Sequence, residues 1–199
     1  VPFPERLAIA TKNAHKLREL GRICRDWPVR WLTVENHPGP WPDVPEPHET
    51  YLDNALEKAR AIASALGEPA IADDSGIEAD ALDGGPGPRS ARFAGEGASD
   101  AENLAKLIEA IRDEPTDART GRYRCVAAIA WADGSALHAE GVCEGTLLVT
   151  ARGARGFGYD PIFVPRGEDR TMAELDDDEK DRISHRGRAF RALAELLSA

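Results

Sequence analysis

Disulfides, zinc knuckles, membrane spans and long polyanionic partners are all poorly provided for in this sequence. Its three cysteines, Cys24, Cys125 and Cys143, lie far apart, lack C-x-x-C spacing and leave one over, which argues against a disulfide framework or a zinc site. No apolar run approaches the roughly 20 residues that a membrane span requires, and residues 1–5 lack the basic-then-apolar pattern of a secretory signal. The expectation is a soluble cytoplasmic protein with no membrane partner. His37, His48 and His138 show no ligand spacing, and neither a G-x-S-x-G elbow nor a paired His and Cys nucleophile is present, so covalent catalysis is not indicated. Positive charge is scarce: 25 Lys and Arg face 35 Asp and Glu, a net charge of −10. DNA and RNA binding rests on many cations neutralising many phosphates, so the charge balance argues against a long nucleic-acid partner. A small polyanion is not, because a few cations and backbone N–H groups can hold it locally.

The hydrophobic fraction, 42%, suffices for a chain of 199 residues to bury well over half of its unfolded surface. No repeat, low-complexity tract or domain linker interrupts it. Residues 6–10 form an apolar strand, and Leu17, Leu20 and Cys24 have helical spacing behind an Asn13 N-cap. Residues 27–49 are rich in proline and predict a strand fragment followed by a long loop. Thr50 caps a helix whose stripe runs Leu52, Ala55, Leu56, Ala59, Ile62, Ala63 and Leu66 before Gly67 stops it. Residues 70–72 read as a short strand ending in a turn at Asp73-Asp74-Ser75-Gly76, with a second strand through Ile77, Ala79 and Ala81. Ser99 and Glu102 form a capping box ahead of Leu104, Leu107, Ile108 and Ile111. Residues 123–131 and 136–149 are strands about an Asp133-Gly134 turn. Thr171 with Glu174 opens a short helix, and Ala189, Phe190, Leu193, Leu196 and Leu197 form the apolar face of a last one. Strands and helices alternate without strict repetition, which predicts a mixed α/β sheet.

Four segments bear chemistry. Thr11-Lys12-Asn13-Ala14-His15-Lys16 sits where a strand meets a helix N-terminus, an arrangement that suits an anion but also occurs as an ordinary capped helix. Asp73-Asp74-Ser75-Gly76 places two carboxylates side by side, which suits Mg²⁺ or a polar turn. Gly156-Phe157-Gly158-Tyr159-Asp160-Pro161 sets aromatics between glycines, as a base-stacking surface or as a core plug. In residues 179–187, Lys180, His185 and Arg186 diverge on one continuous helix but converge if Ser184 caps a new one. The other reading of that run is a solvated charged face.

Six ordered stretches, TKNAHK (11–16), ETYLDNALEKA (49–59), ADDSG (72–76), PGPRSAR (86–92), GFGYDPIF (156–163) and EKDRISHRG (179–187), resemble the inosine/xanthosine triphosphate pyrophosphatase family. The resemblance spans nearly the whole chain. It implies a mixed, partly antiparallel central sheet flanked by helices, in a single domain over residues 1–199 with two lobes and a cleft between them. It implies Mg²⁺-dependent hydrolysis of ITP, dITP, XTP and dXTP to the monophosphate and pyrophosphate, by a homodimer that cleanses the nucleotide pool. It also implies a site: Thr11, Asn13 and Lys16 on the phosphates, and Asp74 as general base or metal ligand with Asp73 beside it, so that Asp74, Lys16 and Asp73 form the catalytic set. Ser75 touches substrate. Phe157, Gly158, Tyr159 and Asp160 line the nucleoside pocket, Phe157 by stacking, while Lys180, His185 and Arg186 meet phosphate or the 6-oxo edge of the purine. The metal falls to Asp74 and, by spacing, to Glu46, with Glu49 as the alternative. Two other readings are a related pyrophosphatase for modified pyrimidine triphosphates and a non-catalytic nucleotide sensor.

Overall fold

A computed structural model describes residues 1–198. The elements in chain order are β1 (Arg6–Ile9), α1 (Ala14–Ile23), β2 (Arg30–Leu32), α2 (Tyr51–Leu66), β3 (Ala70–Ala79), α3 (Asp100–Ile111), β4 (Thr120–Ala130), β5 (Ala136–Leu147), β6 (Phe163–Pro165), α4 (Asp177–Ile183) and α5 (His185–Ser198), with short 3-10 turns besides. The strands form one sheet in the order β2-β1-β3-β4-β5-β6. β1 runs parallel to β2 and β3, and β5 antiparallel to β6, so the sheet is mixed, as the alternation of elements predicts.

The chain divides into two compact units. Unit 1 holds residues 1–74, 125–141 and the segment from Arg186 on; unit 2 holds residues 75–124 and 142–185. In unit 1 the strand pleat sorts side chains onto two buried faces. Ala8, Ala10, Ala70, Ala72, Val126, Ala128 and Ala130 pack with Ala55, Ala59, Ile62 and Ala63 of α2. Small residues on both sides allow the helix backbone close to the strands. The alternate positions Leu7, Ile9, Ile71, Cys125, Ala127 and Ile129 pack with Leu20 of α1 and with Ala189, Phe190, Leu193 and Leu197 of α5. Unit 2 has its own core, in which Ile77, Leu107, Ile111, Tyr123, Leu147, Tyr159, Ile162, Phe163, Met172 and Leu175 are the larger members.

The cap signals hold. Asn13 Oδ1 accepts from the backbone N–H of His15 and Lys16 at 2.9 and 3.2 Å, and Thr50 Oγ1 accepts from Asp53 N at 3.1 Å. Gly67 ends α2 with φ +69°, a conformation disfavoured for other residues. Three expectations are corrected. The acidic pair does not sit at a turn: β3 runs unbroken for 10 residues through Asp73 and Asp74. Thr171 and Glu174 close a turn, Thr171 N to Glu174 Oε2 at 2.7 Å, not a helix. Met172, Ala173 and Leu175 are all buried in that turn, and α4 starts later at its own Asp176–Glu179 capping box. Leu196 is 43% exposed and lies off the α5 stripe, which Leu197 continues.

Candidate functional site

Within β3, successive side chains point to opposite faces. Asp73 therefore shares the Ile71 face, toward α1 and α5, while Asp74 shares the Ala72 face, toward α2. The two adjacent carboxylates are thereby separated, and each meets its own set of cations. Asp73 Oδ2 accepts from Arg186 Nε and Nη2 at 3.2 and 3.1 Å and lies 3.2 Å from Lys16 Nζ. Arg186 is bound on its other side by Glu19. Asp74 Oδ2 accepts from Asn54 Nδ2 at 3.0 Å, and its Oδ1 is 4.0 Å from Lys58 Nζ. Lys58 also donates to Glu46 and, at 2.6 Å, to the Asp73 carbonyl. The Asn54 amide reaches back to its own approach loop, accepting from His48 N at 3.0 Å and donating to His48 O at 3.2 Å.

These contacts set the protonation states. Burial alone would raise Asp73, but Arg186, Lys16 and Lys58 outweigh it and hold the carboxyl far below the usual range. Burial would lower Lys16, yet the Asp73 charge prevails and keeps it an ammonium. Asp74 goes the other way: burial raises it, Lys58 only partly opposes, and the Glu46 charge adds to the rise. Glu46 resists burial through Lys58 and Lys16 and is lowered. The result is a firmly ionised Asp73 beside an Asp74 of raised proton affinity.

Glu46 and Asp74 face one ammonium, that of Lys58, so their oxygens converge where a cation is favoured. Among the described residues no group of three or more His, Cys, Asp or Glu is arranged as a metal cage. Two hard carboxylate donors fit Mg²⁺, which keeps several waters and takes further oxygens from phosphate. Of the two glutamates open in the sequence, Glu46 is the one held at Lys58.

Thr11 and Asn13 stand at the entry to α1: Thr11 Oγ1 accepts from Asn13 N at 3.2 Å, and both remain accessible at the helix N-terminus. A phosphate approaching there meets the positive end of the helix dipole as well as Lys16.

Ser75, Phe157, Gly158, Tyr159, Asp160, Lys180 and His185 belong to unit 2. Asp160 organises most of them. It is 3% exposed and accepts from Tyr123 Oη at 3.2 Å, Phe157 N at 3.0 Å and Lys180 Nζ at 2.7 Å. Lys180 Nζ also lies 5.2 Å from the Phe157 ring centroid, a cation–π distance. Gly156, at φ +71°, leaves no room for a side chain, since a Cβ would come within 2.1 Å of the Asp160 carboxylate. Tyr159 is buried and donates to Ser90 O at 2.7 Å, while Gly158 N donates to Asp100 Oδ2 at 3.0 Å. The chain does break at Ser184, which ends α4 in extended conformation so that α5 begins at His185. Lys180 and His185 belong to unit 2, whereas Arg186, 2% exposed, is taken up by Glu19 and Asp73 in unit 1.

Sequence reasoning missed Glu19, Asn54 and Lys58. Asn54 and Lys58 stand one helical turn apart within the buried face of α2, beside Ala55 and Ala59. Polar residues in an apolar stripe were the available signal, because burial at 0% and 8% is costly without partners. Glu19, next to Leu20 in α1, carries the same signal.

The Ham1 family model matches residues 7–196. A dITP/XTP pyrophosphatase from Desulforamulus reducens is 45% identical over 193 residues, covering 97% of this chain and 96% of that protein. One from Streptomyces coelicolor is 46% identical over 194 residues, covering 96% of each. Among solved structures, a HAM1 protein from Coxiella burnetii superimposes with a TM-score of 0.86 at 38% identity, covering 98% of this chain and 99% of that one.

Proposed function

The chain belongs to the Ham1 family, and from that membership and the charge cluster about Asp73 and Asp74 we propose that it is a nucleoside triphosphate pyrophosphatase for deaminated purines. It converts ITP, dITP, XTP and dXTP to the monophosphate and pyrophosphate. The observation that carries this reading is the division of labour in β3: Asp73 ionised and clamped among Arg186 and Lys16, Asp74 of raised proton affinity beside Glu46 and Lys58.

Water attacks the α-phosphorus in line, the bond to the bridging oxygen breaks, and pyrophosphate leaves. When bound, Mg²⁺ on Glu46 and Asp74 supplies positive charge at the phosphate oxygens. Asn54 fixes Asp74 Oδ2, so that Oδ1 keeps one orientation and Asp74 can orient the water or take its proton. Lys16, aimed by Asp73, offsets the charge that gathers on the leaving pyrophosphate. Thr11 and Asn13 hold phosphate oxygens at the α1 N-terminus. Arg186 acts through Asp73, which it positions.

The base end falls to unit 2. Phe157 stacks on the purine, Gly158 lets it approach the backbone, Ser75 contacts substrate, and Asp160 and Tyr159 brace the loop that carries the pocket. Lys180 and His185 supply donors for an oxygen at C6. Adenine presents a donor there, so ATP leaves a polar group unpaired, a mismatch that discriminates by roughly 10⁴-fold. We place the enzyme in the cytoplasm as a homodimer; light scattering tests the assembly.

The test is pyrophosphate release with and without Mg²⁺ across ITP, dITP, XTP, GTP, ATP and dUTP. Release confined to deaminated purines and dependent on the metal is expected. Preference for dUTP would move the protein to the pyrimidine house-cleaning enzymes, and tight binding without turnover would make it a sensor. Asp74→Asn should retain its melting temperature and lose most turnover.

A further inference from the structure

Tyr123, in β4, lies outside every motif that the sequence singles out, yet it touches the base-end residues of unit 2 in two ways. Its ring lies parallel to the His185 imidazole, with centroids 4.5 Å apart and planes 7° from each other. Its hydroxyl donates to Asp160 Oδ1 at 3.2 Å, while Oδ2 of the same carboxylate accepts from Lys180 Nζ and Phe157 N. The Phe163 ring meets Tyr123 edge-on at 4.8 Å and 63°. Tyr123 and His185 are 7% and 5% exposed. The tyrosine ring is therefore held at its tip and by the Phe163 edge, and the imidazole is held against it.

We propose that Tyr123 is a positioning residue for purine selectivity: by stacking on His185 it fixes the plane of the imidazole, and so the direction in which the ring N–H reads the 6-position of the base. This rests on the proposed function above. Hydrogen bonds weaken steeply as the angle at hydrogen falls below about 120°. A neutral imidazole carries one donor and one acceptor nitrogen. A ring free to tilt or turn offers a donor to a 6-oxo group or an acceptor to a 6-amino group with little preference. A ring held in one plane keeps its N–H in line with an oxygen at the 6-position, a bond that a 6-amino group cannot accept. Loss of the stack thus relaxes discrimination more than it weakens binding.

The experiment compares kcat/KM for ITP and ATP in wild type, Tyr123→Phe and Tyr123→Leu, each shown to melt cooperatively. The ITP-over-ATP ratio is expected to fall on the order of tenfold or more in Tyr123→Leu, with the ATP rate rising relative to ITP. Tyr123→Phe keeps the stack without the hydroxyl and should restore most of the ratio. If the leucine variant does not fold, Tyr123→Met, of similar volume but unbranched and more adaptable, is read in the same way. A folded non-aromatic variant that slows both nucleotides equally overturns the inference and makes Tyr123 a core residue only, leaving the proposed function standing. A wild-type enzyme without preference for ITP over ATP overturns both.

Discussion

Asp73→Asn removes one charge from a buried arrangement of four, and the structure indicates how much stability that costs. Asp73 is 3% exposed and accepts from Arg186 at 3.2 and 3.1 Å, with Lys16 at 3.2 Å. Without its charge, Arg186 keeps Glu19 but loses this carboxylate, and Lys16 loses its nearest one, both in a setting where burial disfavours the charged form. Breaking a buried ion pair from one side typically costs about 3–5 kcal/mol, because a desolvated charge is left behind. For a chain of this length each kcal/mol moves the melting temperature by about 2–4 °C, so a drop of roughly 6–20 °C is expected in calorimetry near neutral pH. Asp73→Asn combined with Arg186→Met removes the stranded cation as well. The double variant should lose less than the sum of the single losses, with a coupling of about 1–3 kcal/mol. A single variant within about 0.5 kcal/mol of wild type, or a strictly additive pair, would show that Asp73 and Arg186 do not depend on each other, and the account of the cluster would fail.

Gly156→Ala should destabilise by about 1–3 kcal/mol in urea titration, because φ +71° is strained for alanine and its Cβ meets the Asp160 carboxylate; an unchanged midpoint contradicts the packing described. Burial pushes the Tyr159 phenol well above its ordinary value. The unfolded phenol ionises near pH 10 while the folded one stays neutral, so the Tyr159 contribution to stability is complete below that pH and fades as pH rises beyond it. Tyrosinate absorbance should then show Tyr159 ionising only together with alkaline unfolding; a Tyr159→Phe difference spectrum showing ionisation near pH 10 in folded protein argues against it. Cys24, Cys125 and Cys143 are all buried, and burial raises the thiols of Cys24 and Cys125. Alkylation of native protein should be slow at all three and complete only in denaturant, as mass spectrometry would read.

Much of this protein is determined locally. Asn13, Thr50 and Ser99 cap the helices they precede, Gly67 ends α2, and Ser184 separates α4 from α5, because caps and turns need only neighbours within a few residues. The six motif stretches likewise named the family in linear order, and Lys16, Asp73 and Asp74 as its charged centre. What the tertiary structure alone decided is which charge answers which. The carboxylate pair reads as a turn because a short apolar run ends there in Asp-Asp-Ser-Gly; in β3 alternation turns the two acids to opposite faces, and α1, α2 and α5 bring cations to them. Asn54, Lys58 and Glu19 acquire meaning only through partners 20, 12 and 167 positions away in the chain. Arg186, one residue after His185, is drawn into a different compact unit by the same rule. Electrostatic energy depends on distance and burial, and neither is a property of position along the chain.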